Sequence, residues 1–137
     1  LVVPAVRHKS RRGLVVPLSE PAWKIVSQLP RWEGPFIFTT TSGRRPYSGY
    51  TRAGERLRER ANELHGSEMP HFRLAHDLRV TLRSRLSQLR VPFDVRELAL
   101  GHSRQGLERL YDKSDLADEV RRAMELYAAH ILEVVGG

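Results

Sequence analysis

Leu74, Leu78, Leu82, Leu86 and Leu89 follow one another at steps of four, four, four and three. At 3.6 residues per turn this spacing keeps all five on one side of a helix. A stripe of that length has to be buried against other elements, so helix packing must dominate the fold. The spacing predicts a helix over residues 74–89 with one continuous buried face. On it His76 and Arg83 point away from the stripe, and Arg79 stands at its border.

The flanking segments carry their own start and stop signals. Leu1-Val2-Val3-Pro4-Ala5-Val6 and Leu14-Val15-Val16-Pro17-Leu18 enclose a basic turn at residues 7–13, which reads as a β-hairpin. Pro4 and Pro17 lack an N–H and place both arms at a sheet edge or strand end. A chain that opens on a strand, without Met, is expected to have been cut from a longer one. Ser19 is expected to cap a helix with Glu20 and Pro21 in its first turn, Trp23, Val26 and Leu29 on its apolar face, and Pro30 as its stop. Phe36-Ile37-Phe38 reads as a short strand. Residues 39–46 read as an exposed loop leading into a basic helix over residues 50–64, with Arg52, Arg56, Arg58 and Arg60. Pro92 opens a shorter helix through Val95 and Leu98, which Gly101 ends. A last helix, from about Leu116, carries Val120, Met124, Tyr127, Ile131 and Val135 and closes at Gly136-Gly137. Its apolar side can dock on its own core or on a neighbouring subunit, and its own core needs no partner. The expected fold class is α+β: mainly a helical bundle, with a small N-terminal antiparallel hairpin.

At 137 residues the chain allows one core and one domain of ordinary size. Forty per cent hydrophobic and 28% charged residues suit a folded domain rather than a disordered tail. No apolar run approaches the roughly 18 residues of a membrane span, and Leu1 to Val6 lacks the basic region of a signal peptide. With no cysteine, a disulfide framework and a thiolate zinc cluster are excluded, and a reducing, cytoplasmic setting is expected. The net charge is +7, and all but three of the 23 cations are arginine. Guanidinium forks pair with phosphate oxygens and stay charged at any working pH, so a polyanionic partner is favoured.

Three motifs bear on chemistry. His76-Asp77-Leu78-Arg79 places an imidazole and a guanidinium one helical turn apart. About one H-x-x-R is expected by chance in this composition, and His8 to Arg11 is a second, so by itself the pair implies only a polar helix face. Leu100-Gly101-His102-Ser103 has Tyr111 nine residues after the histidine, and a Gly-His followed by Tyr at one stated offset is rarer, arising about once in a hundred such chains. Lys9 sits at the tip of the basic hairpin, where a side chain can reach a site built by other elements.

Taken in order, Lys9 on a hairpin, His76 and Arg79 opening a helix, Gly101-His102 ending one and Tyr111 beyond resemble the tyrosine recombinase family, the phage integrases. The resemblance covers nearly the whole chain. Arg12-Gly13-Leu14-Val15-Val16-Pro17-Leu18-Ser19 resembles the strand after the catalytic lysine, and Pro46 to Tyr50 the entry to the middle helix. It implies an integrase-like catalytic domain, with a small sheet beside a helical bundle. Val80 stands where many members carry another basic residue. The family's first catalytic arginine precedes the lysine in an A-R-x-x-E-L helix, and here only Arg7 precedes Lys9. Arg60 with Glu63-Leu64 and Arg122 with Glu125-Leu126 imitate that pattern but follow the lysine, so the role is transferred to neither.

By this resemblance Tyr111 attacks the scissile phosphate, leaving a 3′-phosphotyrosyl link and a free 5′-hydroxyl. Lys9 protonates the leaving oxygen, Arg79 holds nonbridging oxygens, His76 assists proton transfer and His102 donates to the phosphate. The link stores the phosphodiester bond energy, so no cofactor is expected. No metal is expected either, since His65, His71 and His76 are close in sequence but interrupted by Pro70. The expected partner is double-stranded DNA, gripped through phosphates by Arg7, Arg11, Arg12, Arg44, Arg45, Arg52 and Arg56, with other recombinase subunits on the same DNA and no membrane. Lacking the first arginine and the DNA-clamping domain, the isolated chain is expected to be inactive. The alternative is a DNA-binding module without catalysis, or a decayed integrase remnant. An RNA-binding domain lacks support, because no strand carries an aromatic stacking platform.

Overall fold

A computed structural model describes residues 1–7, 13–68, 73–102 and 113–136. Among these residues it is mostly helical with one small antiparallel sheet, an α+β arrangement. In chain order the elements are β1 (Val2–Val3), a 3₁₀ turn (Ala5–Arg7), β2 (Leu14–Val15), α1 (Glu20–Ser27), α2 (Tyr50–His65), α3 (Leu74–Gln88), α4 (Phe93–Ala99) and α5 (Lys113–Gly136). They fall into two compact units, one of Leu1–Ser27 with Arg79–Gly137 and one of Gln28–Leu78. No helix among the described residues is long and apolar enough to cross a membrane.

In the first unit the hairpin pairs Val2 with Val15 and Val3 with Leu14. Each strand has only two residues, and the prolines explain why. Pro4 has no N–H to continue the ladder and the chain after it winds into the 3₁₀ turn, while Pro17 closes the other arm. α1 begins after the buried Ser19, whose carbonyl accepts the Trp23 N–H at 2.8 Å. The Glu125 carboxylate accepts the Glu20 N–H at 2.8 Å, placing an anion at the positive end of α1. This is the glutamate of the second R-x-x-E-L imitation, and its carboxylate is spent on capping. α1 stops at Ser27, before Pro30, and the Ser27 hydroxyl bonds back to the Lys24 carbonyl at 2.9 Å.

The core of this unit is Leu86, Val91, Val95, Val120 and Ala123, with Leu82, Leu89, Leu98, Ala99, Met124 and Tyr127 packed around it. Leu86 is wholly buried. The leucine ladder is therefore not one continuous buried stripe. Its members from Leu82 onward pack on the core, whereas Leu78 is 57% exposed. α3 ends in a left-handed cap: Arg90 has φ +61°, its N–H bonds the Ser87 carbonyl at 3.1 Å, and the Val91 N–H bonds the Leu86 carbonyl at 3.0 Å. α5 packs against α4 through its first half, while Leu132, Val134 and Val135 near its end are exposed.

In the second unit Phe36, Ile37 and Phe38 do not form the expected strand, and Phe38 is 61% exposed. A three-residue apolar run needs a partner edge to become a strand. Here the Phe38 carbonyl instead accepts the Tyr47 N–H at 2.8 Å and closes a loop. Thr39 organises that loop, its hydroxyl donating to the Arg45 carbonyl at 2.7 Å and accepting the Thr41 N–H at 3.0 Å. Gly34 and Gly43 cross at backbone contact, where a β-carbon on Gly34 would lie 2.1 Å from the Gly43 carbonyl oxygen. α2 follows the basic pattern over almost the expected span and ends at Gly66, φ +71°, whose N–H bonds the Asn62 carbonyl at 3.0 Å. Asp77 accepts the Arg73 N–H at 2.6 Å and secures the first turn of α3.

Candidate functional site

The Gly101-His102 motif is, first of all, a helix terminus. Gly101 has φ +71°, a conformation that costs an L side chain roughly 1–2 kcal/mol and glycine nothing. Its N–H bonds the Leu98 carbonyl at 2.8 Å, and the His102 N–H bonds the Glu97 carbonyl at 2.9 Å. This pair of bonds reverses the chain over the end of α4 and lays His102 back across its last turn. The His102 side chain then meets the Glu97 side chain, with Nδ1 2.8 Å from Oε2.

α3 supplies the other half. Arg79 Nη2 donates to the Leu100 carbonyl, a C-terminal carbonyl of α4, and lies 2.9 Å from His102 Nε2. One turn on, Arg83 Nε donates to Glu97 Oε1 at 2.7 Å. The Arg83 and Arg96 guanidiniums both lie over the Phe93 ring, at 5.8 and 5.5 Å from its centroid. Arg79, Arg83, Glu97 and His102 thus form one connected cluster within the first unit.

Donor and acceptor chemistry sets the protonation in this cluster. Arginine only donates, so the 2.9 Å contact casts His102 Nε2 as the acceptor, which leaves Nδ1 to donate to Glu97. The hydrogen bond from His102, and then that from Arg83, hold the Glu97 carboxyl below its ordinary value of 4.5. Both Arg79 bonds leave through Nη2. Among the described residues, its Nε and Nη1 donors remain for a ligand; they stand on opposite sides of the guanidinium, so each can donate singly to a phosphate oxygen.

Of the residues singled out by sequence, Arg79 and His102 are brought together. His76 is exposed one helical turn before Arg79 and takes no part in the cluster. Lys9, Tyr111, Arg11 and Arg12 lie outside the described residues. The base of the Lys9 hairpin does border the site, since Leu14 Cδ2 lies 3.1 Å from where a β-carbon on Gly101 would stand. Arg7 ends the 3₁₀ turn. In the second unit, Arg44 and Arg45 are exposed and line a hollow with Thr41, and Arg44 Nε donates to the Thr41 carbonyl at 3.3 Å. Arg52 and Arg56 are exposed one turn apart on α2. No group of three or more His, Asp or Glu able to hold a metal ion occurs among the described residues.

Sequence reasoning missed Glu97 and gave Arg83 no role. A signal for Glu97 was present: four residues before a helix-ending glycine is the position whose carbonyl receives the returning N–H, so its side chain neighbours the residue after the glycine. A comparison with protein-family models finds no match, and comparisons with curated proteins and with solved structures find none either.

Proposed function

We propose that the chain is the catalytic domain of a tyrosine recombinase, with an integrase-like fold, acting in site-specific DNA recombination by strand cleavage and rejoining. The observation that carries this reading is the meeting of Arg79 and His102 at 2.9 Å, two residues 23 apart that the resemblance assigns to one site. A phosphate that takes an N–H from the Arg79 guanidinium lies near His102, and that cation stabilises the charge that grows on a phosphorane.

In this reading the Tyr111 phenolate oxygen forms a bond to phosphorus as the bond to the 5′-oxygen breaks. Lys9 gives that oxygen its proton, and the phenol proton leaves with the help of His76. Rejoining runs the same steps backwards, with a 5′-hydroxyl as the nucleophile. Arg7, Arg11, Arg12, Arg44, Arg45, Arg52 and Arg56 hold double-stranded DNA by its phosphates, and other recombinase subunits share that DNA. The working place is the cytoplasm, at the nucleoid. In the family, an arginine upstream of the lysine completes the phosphate site.

The test uses nicked suicide duplexes tiled from the DNA that flanks the gene, incubated with the full-length protein. The expected result is a covalent protein–DNA adduct that Tyr111→Phe abolishes while DNA binding stays near wild type. DNA binding with no adduct from any duplex selects the non-catalytic DNA-binding module instead.

A further inference from the structure

Glu97 holds two side chains from two directions. Its Oε1 accepts Arg83 Nε at 2.7 Å and its Oε2 accepts His102 Nδ1–H at 2.8 Å. Its side chain is 12% exposed, while those of Arg83 and His102 are 52% and 50% exposed. The shielded member of the cluster is therefore the anion, and the groups open to a ligand are those it holds. The charged and titratable groups facing His102 among the described residues are Glu97 from its own side and Arg79 from α3.

We infer that Glu97 is a positioning residue for strand cleavage: it fixes His102 with Nδ1–H on the carboxylate and Nε2 directed toward Nη2 of Arg79, the guanidinium that takes the phosphate. The inference rests on the recombinase reading above. With Nδ1–H tied to a carboxylate, the ring atom left for proton exchange is Nε2, on the Arg79 side. Arg83 keeps the carboxylate ionised and fixes its angle. Without Glu97 the ring can turn about its Cβ–Cγ bond and offer a carbon or Nδ1 to the phosphate.

Two readouts test this. Long-range 1H–15N NMR of the 137-residue chain at about pH 8.5, where an ordinary histidine is neutral, reports which ring nitrogen of His102 carries the proton. The wild type is expected to show the Nδ1–H form alone. Glu97→Gln retains it, because the amide oxygen still accepts; Glu97→Ala gives a mixture of both forms. Glu97→Met fills the same space without an acceptor and is read in the same way should the alanine chain not fold. An unchanged Nδ1–H form in the alanine or methionine chain overturns the inference, since Arg79 alone would then orient the ring.

The second readout is the rate of adduct formation by the full-length protein at saturating DNA. Glu97→Ala or Glu97→Met is expected to slow it about 10- to 100-fold, the usual cost of losing a group that orients an active-site histidine, without weakening DNA binding. Glu97→Gln restores part of the rate. A shifted proton form with an unchanged rate overturns the positioning role and leaves the recombinase reading standing. Absence of any adduct from the wild type overturns that reading, and the positioning role with it.

Discussion

The Cδ2 methyl of Leu14 stands 3.1 Å from where a β-carbon on Gly101 would lie. The hairpin and the α4 terminus therefore meet at a residue that has no side chain. At φ +71° the backbone of Gly101 also favours glycine, so sterics and conformation point the same way. Gly101→Ala is expected to lower stability by about 1–2 kcal/mol, the cost of a left-handed L residue, with more if Leu14 cannot give way. Urea unfolding measures the loss. Loss of the His102 N–H protection against hydrogen exchange would show that the chain reversal, and not only the packing, has been disturbed.

The two ends of the leucine ladder should respond differently to truncation. Leu86 is fully buried in the core, and Leu86→Ala is expected to cost about 2–5 kcal/mol. Leu78 on the same helix is 57% exposed, and Leu78→Ala should cost less than about 1 kcal/mol. Equal losses in denaturant melts would mean that the ladder is one buried stripe after all.

Stability should depend on Glu97 at acid pH. Its carboxyl binds a proton less readily in the folded chain than in the unfolded one, because His102 and Arg83 both bond to the ionised form. The stability it contributes is complete above the unfolded value near 4.5 and is lost as pH falls through the lower, folded value. Melts taken from pH 6 downward should therefore show a decline that is shallower in Glu97→Gln. Parallel declines in the two proteins would refute the linkage.

Binding to a short duplex of random sequence should be weak and governed by salt, since guanidiniums on phosphates release counterions. Arg52→Ala and Arg56→Ala should each weaken binding and reduce the slope of log affinity against log salt by about 1. Fluorescence anisotropy between about 50 and 200 mM salt measures it. A slope that neither substitution changes removes α2 from the interface.

What could be read without the structure is what is encoded locally. The helix over residues 50–64 and the one opening at Pro92 emerge close to their expected bounds, because period, cap and stop are properties of neighbouring residues. The hairpin is legible for the same reason, down to the prolines that keep its strands short. Phe36, Ile37 and Phe38 carry a strand-like composition, but a strand exists only where another edge accepts it, and no local signal reports that the Phe38 carbonyl goes to Tyr47. Leu78 and Leu86 are equivalent in the sequence pattern; only the packing of α4 and α5 against the later part of α3 separates an exposed leucine from a buried one. The same holds for the site. Arg79 and His102 could be named from their motifs, and Gly101 marks the helix end that His102 follows. That Glu97 carries His102 on one oxygen and Arg83 on the other depends on where α3 passes the end of α4, and a contact between helices is set by the whole core rather than by any stretch of chain.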